Sequence, residues 1–125
     1  AIQNALLWFW YTAIGNEQGM SKEDVHKYYK GQFLVHIYER DDTEYAATIL
    51  AVRKVYQSGM KVEAKRLEAA IIDLTSTTRA NVDQMREYLT EIDRDAQTKG
   101  ISLPRRDDMY YEAMGIKRRA NGNMV

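Results

Sequence analysis

The stretch that most constrains this chain is Leu6-Leu7-Trp8-Phe9-Trp10-Tyr11. It lies inside a helical pattern running from Ile2 to Glu17 that meets Gly19, a residue that accepts the left-handed conformation past a helix end. A helix that is apolar nearly all round is normally buried on more than one side. It is therefore either the central helix of the domain or part of a subunit contact. The run from Ala5 to Tyr11 is far shorter than the roughly 20 residues that span a bilayer, and it carries no basic flank or cleavage site, so no membrane role is expected.

Caps and turns divide the rest. Ser21, with Asp24 three residues on and Met20 and Val25 placed as a hydrophobic staple, predicts a second helix from Lys22 to about Gln32. Phe33-Leu34-Val35-His36-Ile37-Tyr38 is rich in β formers, and a continuous apolar run does not separate strand from helix. Asp41 and Glu44 read as the cap of a third helix carrying Tyr45, Ile49, Val52 and Tyr56 up to Gly59. Lys61 to Leu74 suits a helix with Leu67, Ala70, Ile71 and Leu74 at helical spacing, and the Ile71-Ile72 pair leaves a strand open near residues 68–76. Asn81 and Gln84 cap a long amphipathic helix in which Val82, Met85, Leu89, Ile92 and Ala96 recur up to Gly100. Leu103-Pro104 breaks the pattern, and Asp107 to Met114 form one short helix. The fold class expected is mainly α with one small β element left open (α+β). Residues 1–115 are expected to form a single helical domain and residues 116–125 a basic polar tail that frays.

At 125 residues one domain with a real core is expected. The absence of cysteine excludes disulfides, thiolate zinc sites and a Cys nucleophile, and fits a reducing compartment, so the expected location is the cytoplasm. Lys plus Arg and Asp plus Glu stand at 18 each, so any nucleic-acid site must be a local patch rather than a property of the whole surface.

Enzyme signatures are missing. There is no G-x-S-x-G, no P-loop and no G-x-G-x-x-G, and no cofactor is expected. His26 and His36 lack the spacing that would put two imidazoles on one helical face. The carboxylates Glu39, Asp41, Asp42 and Glu44, and the pair Asp107 and Asp108, could serve a divalent cation in a nuclease, but helix starts explain them more simply.

Two stretches are more informative. Gln3 and Asn4 precede Trp8 by about one helical turn, and Asn4 and Trp8, as i and i+4, share a face; amides bond bases or phosphates, and an indole stacks on an unpaired base. The alternative is a core Trp8 with Gln3 or Asn4 near a helix end. Thr75-Ser76-Thr77-Thr78-Arg79 places hydroxyls, backbone amides and one guanidinium beside a helix start, which suits phosphate oxygens. The alternative is a polar turn whose hydroxyls satisfy the local backbone. Lys22, Lys27 and Lys30 are auxiliary phosphate contacts or a solvated helix face.

In order and spacing these motifs resemble the NinB (Orf) family of phage recombination proteins. The similarity rests on Gln3-Asn4-Ala5-Leu6-Leu7-Trp8, a helix leading to Phe33, Ser76-Thr77-Thr78-Arg79, and an amphipathic helix ending at Lys99-Gly100-Ile101 with Leu103-Pro104 behind it, across residues 3–104. The resemblance implies a non-catalytic mediator that binds single-stranded DNA, acts with single-strand-binding protein and associates as a homodimer around a positively lined channel in the host cytoplasm. It nominates Gln3, Asn4, Trp8, Ser76, Thr77, Thr78 and Arg79 as the DNA-binding residues. The family carries a β-rich segment before the first motif, whereas this chain starts almost at that motif, so the segment is either absent here or lies outside this sequence. Ala5 and Leu6 stand where a more basic pair occurs in the family, and residues 41–74 are more helical than its pattern. Two other readings compete: a helical adaptor or structural phage protein acting through protein contacts and, more distantly, a metal-dependent nuclease.

Overall fold

The computed structural model describes residues 2–105 and 107–116, and among these there is no strand. Among the described residues seven α-helices follow one another: α1 (Ile2–Gln18), α2 (Lys22–Tyr29), α3 (Val35–Asp41), α4 (Thr43–Gln57), α5 (Lys61–Leu74), α6 (Val82–Thr98) and α7 (Asp107–Met114). A π-helical turn, Lys30–Leu34, joins α2 to α3, and a 3₁₀ turn, Thr77–Arg79, precedes α6. The expected tail lies outside the described residues from Lys117 onward. No described helix is long and apolar enough to cross a membrane. The chain divides into two compact units, residues 1–26 with 81–125 and residues 27–80.

In the first unit α1 packs against α6 and α7. The apolar centre of α1 is used as its composition demands: Leu6, Leu7, Trp10 and Tyr11 are fully buried, with Ile14 one turn on. From α6, Met85, Tyr88, Leu89, Ile92 and Ala96 are buried, the spacing of one helical face. Each such large side chain contributes about 1.5–3 kcal/mol when taken out of water. Asn81 Oδ1 accepts the Gln84 amide at 2.8 Å and Gln84 Oε1 accepts the Asn81 amide at 3.0 Å, so the reciprocal cap expected at the start of α6 is present. Past α6, the Trp10 indole N–H donates to the Pro104 carbonyl at 2.8 Å and ties the proline segment to α1.

In the second unit residues 33–38 are helical, which corrects the strand left open there. Leu34, Val35, Ile37 and Tyr38 are buried while His36 is exposed, a pattern of i, i+3 and i+4 rather than alternation. The strand left open at 68–76 is also absent: α5 runs through Ile71 and Ile72, and α4 packs along it. Their β-branching costs a fraction of a kcal/mol each in a helix, about 0.7 kcal/mol at most, too little to outweigh that packing. The cap of α4 is Asp42 and not Asp41. Asp42 Oδ1 accepts the amides of Glu44 at 3.0 Å and Tyr45 at 3.1 Å, whereas Asp41 pairs with Arg40.

Candidate nucleic-acid interface

Arg79 sits at the end of the 3₁₀ turn, and everything around it in residues 27–80 fixes its position. Its Nη2 donates to Asp42 Oδ2 at 2.6 Å, and the guanidinium carbon lies 5.4 Å from the Tyr38 ring centre and 5.7 Å from that of Tyr45. A planar cation over two aromatic faces is held by the ring quadrupoles while its edge stays in water. The Arg79 side chain is 52% exposed, so the edge is available.

The turn before it is tied down through its carbonyls. Lys30 Nζ donates to the Thr75 carbonyl at 3.0 Å, and the Tyr38 hydroxyl donates to the Ser76 carbonyl at 2.7 Å. Thr75 itself is buried, its Oγ1 lying 2.8 Å from the Tyr45 hydroxyl and donating to the Ile71 carbonyl. With these carbonyls engaged inside, the turn presents Thr78 and Arg79 outward, with Ser76 and Thr77 partly exposed. Part of that donor set is used locally: Ser76 Oγ accepts the Thr78 amide at 3.2 Å and lies 2.7 Å from Thr78 Oγ1.

Burial shapes the ionisation of this seat. It pushes the Tyr38 phenol up to about 12, with the nearby Arg79 charge opposing and Tyr45 adding to the rise. Tyr45 is raised for the same first reason. The Lys30 ammonium is pushed down by burial, with Asp73 opposing and Lys27 reinforcing. Lys30 is thus a buried support for the turn and not a phosphate contact, while Lys27 pairs with Asp73 at 3.3 Å and Lys22 stays exposed.

In the other unit Asn4 and Trp8 stand one turn apart on α1. Asn4 is exposed, and its side chain makes no hydrogen bond among the described residues. Trp8 is half-buried: its ring lies 4.8 Å from the His26 imidazole, tilted by 39°, and meets Tyr11 edge-on at 5.0 Å. His26 Nδ1 lies 2.9 Å from the Tyr11 hydroxyl, which lies 2.7 Å from the Tyr88 hydroxyl. A partly exposed indole on this hydrogen-bonded ring cluster has the chemistry of a base-stacking surface. Gln3 is committed elsewhere. Its Nε2 donates to the carbonyls of Val82 at 3.2 Å and Ala113 at 3.0 Å, so only its Oε1 is left for a ligand.

The seven nominated residues therefore fall into two sets, Gln3, Asn4 and Trp8 in one unit and Ser76, Thr77, Thr78 and Arg79 in the other. The sequence reading missed Asp42, Tyr38 and Tyr45 as the seat of Arg79, and His26 as the neighbour of Trp8. The Asp-Asp pair before α4 was the one local signal for Asp42. Of the carboxylates considered for a cation, Glu39 pairs with Arg53, Asp41 with Arg40 and Asp42 with Arg79. The side chains of Asp107 and Asp108 lie outside the described set. Among the described residues no group of three or more His, Asp or Glu side chains is placed to hold a metal ion. Comparison with protein-family models, with curated proteins and with solved structures finds no match to this chain.

Proposed function

We propose that this chain is a single-stranded-DNA-binding accessory protein of recombination or replication, of the phage NinB type, acting by binding rather than by catalysis. The observation that carries the reading is the Arg79 turn: an exposed guanidinium braced over Tyr38 and Tyr45, on a segment whose Thr75 and Ser76 carbonyls face inward. Such a turn offers donors outward and suits phosphate oxygens. Trp8, backed by His26, supplies a stacking surface, and Asn4 an amide. Single-strand-binding protein and a second copy of the chain are the partners that go with this reading.

Fluorescence anisotropy of a labelled single-stranded oligonucleotide across a salt series tests it. Binding should weaken steeply with salt as counterions are released, and Arg79→Ala should weaken it and flatten the salt slope by about one phosphate contact. Absence of binding at low salt by the folded chain would refute the proposal.

One observation favours a second reading, a helical adaptor working through protein contacts. Leu50, Tyr56, Met60, Val62, Leu67 and Leu74 are exposed along α4, α5 and their connection, Leu74 by 84%. Trp10 gives no support to that reading, being fully buried.

A further inference from the structure

A cavity of about 190 Å³ opens within residues 27–80. Gly31 of the π-helical turn contributes to its lining, and a Cβ there would stand 3.1 Å from Ile72 Cδ1, so the turn approaches α5 this closely because it carries no side chain at that point. Val35, Ile49, Val52, Ile71 and Ile72 form the apolar wall, and all but Val35 remain partly exposed. Filling the space would remove apolar surface from water. π-helical turns are rare and recur at functional sites.

Size decides the class of occupant. Pockets for whole drug-sized ligands run to about 300–1,000 Å³, whereas an apolar cavity of about 150 Å³ takes up a single benzene. The space here suits one aromatic or large aliphatic group. The rim decides what accompanies it. Arg53 Nη2 donates to both oxygens of Glu39, at 2.7 and 2.8 Å, so those two charges offset each other. Glu68 and His36 also line the opening, and neither has an ion pair or hydrogen bond among the described residues. The uncompensated charge at the mouth is that of Glu68.

We propose that this cavity is a docking site for a partner protein, which seats one aromatic or large aliphatic side chain among α3, α4 and α5 and sets a Lys or Arg against Glu68. A partner helix with the apolar residue and the cation one turn apart meets both features, since residues four apart share a face. Large side chains filling pockets are where binding energy concentrates. An acidic partner segment would meet Glu68 with Arg53 already committed to Glu39. None of the side chains that line this cavity belongs to the proposed DNA site.

The test follows the methyl resonances of Ile and Val in the full chain during titration with indole, tryptamine and indole-3-acetate. Saturable shifts are expected at Ile49, Val52, Ile71 and Ile72, with tryptamine tighter than indole by up to about fivefold, the value of one exposed charge pair, and indole-3-acetate weakest. Glu68→Gln should abolish the advantage of tryptamine. In a second arm, a phage-displayed library of helical peptides is selected on the chain and counter-selected on Val52→Phe, whose ring fills the cavity; Ile49→Phe fills it from the neighbouring turn of α4 if Val52→Phe does not fold. Enriched peptides should carry a large apolar residue with Lys or Arg one turn away, and lose about tenfold or more on the filled variant and on Glu68→Lys. Absence of methyl shifts, tryptamine no tighter than indole, or peptides indifferent to the filled cavity would overturn the proposal. Tryptamine binding with no peptide enriched would make this a site for free amines and overturn the docking role.

Discussion

Asp42 divides its carboxylate between two tasks: Oδ1 caps the first turn of α4, and Oδ2 holds Arg79 at 2.6 Å. The two tasks separate by substitution. Asn caps a helix about as well as Asp and cannot form the ion pair, whereas Ala does neither. Asp42→Asn should therefore leave thermal stability nearly unchanged, while Asp42→Ala lowers it by about 1 kcal/mol in chemical denaturation. On the DNA-binding reading, Asp42→Asn also removes a carboxylate that competes with phosphate for Arg79. Affinity for a single-stranded oligonucleotide should then rise by up to about fivefold, the value of an exposed ion pair. A fall in affinity would mean that Asp42 positions Arg79 more than it competes for it.

The tyrosines beneath Arg79 give a pH signature. Burial holds the Tyr38 proton up to about 12, against about 10 for an unfolded tyrosine. Between those values the unfolded chain has lost a proton that the folded chain keeps, so the Tyr38 contribution is full below about pH 10 and declines as pH rises toward 12. Phenolate absorbance should show a late component among the nine tyrosines that shrinks in Tyr38→Phe, Tyr45 being raised as well. Loss of amplitude from the main step near about pH 10, with the late component unchanged, would show that Tyr38 is not held in this way.

Helices with caps and a clear period were legible in the sequence; the residues that orient the candidate site were not. Asn81 and Gln84 announce α6 because a reciprocal cap is a local pattern, and the buried face of α6 follows from spacing alone. Residues 33–38 gave no such signal, because six apolar or aromatic-like positions in a row carry no period until His36 is known to face outward. Two adjacent aspartates offered two caps, and tertiary pairing separates them, Asp41 to Arg40 and Asp42 to Arg79. Lys30 ran against expectation most strongly, since lysine is almost never fully buried without a partner and here the partner is a carbonyl 45 residues away. Arg79 itself was legible as a cation in a hydroxyl-rich turn. Its aromatic seat was not, because Tyr38 and Tyr45 lie on other elements.

The Tyr11 hydroxyl links two neighbours, lying 2.9 Å from His26 Nδ1 and 2.7 Å from the Tyr88 hydroxyl. Tyr88→Phe deletes the bond between the two hydroxyls and should cost about 1 kcal/mol, the net worth of one hydrogen bond. Tyr11→Phe removes the group both neighbours use in a buried site, and should cost more, about 1–3 kcal/mol. The double substitution should fall short of the sum because the shared bond is lost only once. Urea denaturation of the three variants measures all of this, and strict additivity would mean that the two hydroxyls do not share a bond in solution.

Gly15 tests whether close backbone approach outweighs helix propensity. Taken alone, Gly→Ala in a helix gains about 1 kcal/mol. At this position, however, a Cβ would stand 2.4 Å from the Met20 carbonyl oxygen, and Met20 N–H already donates to the Gly15 carbonyl at 2.9 Å. The clash is with backbone, which cannot rotate away, so the chain leaving α1 must shift as a whole. Overpacking of this kind costs about 1–3 kcal/mol and leaves Gly15→Ala net destabilising despite the propensity gain. Gly31→Ala is the informative comparison, since its Cβ would meet only the Ile72 side chain, at 3.1 Å, and a flexible methyl can move by a few tenths of an ångström. Gly15→Ala should therefore unfold at lower urea than Gly31→Ala, and the reverse order would place the α1 exit further from Gly15 than the structure has it.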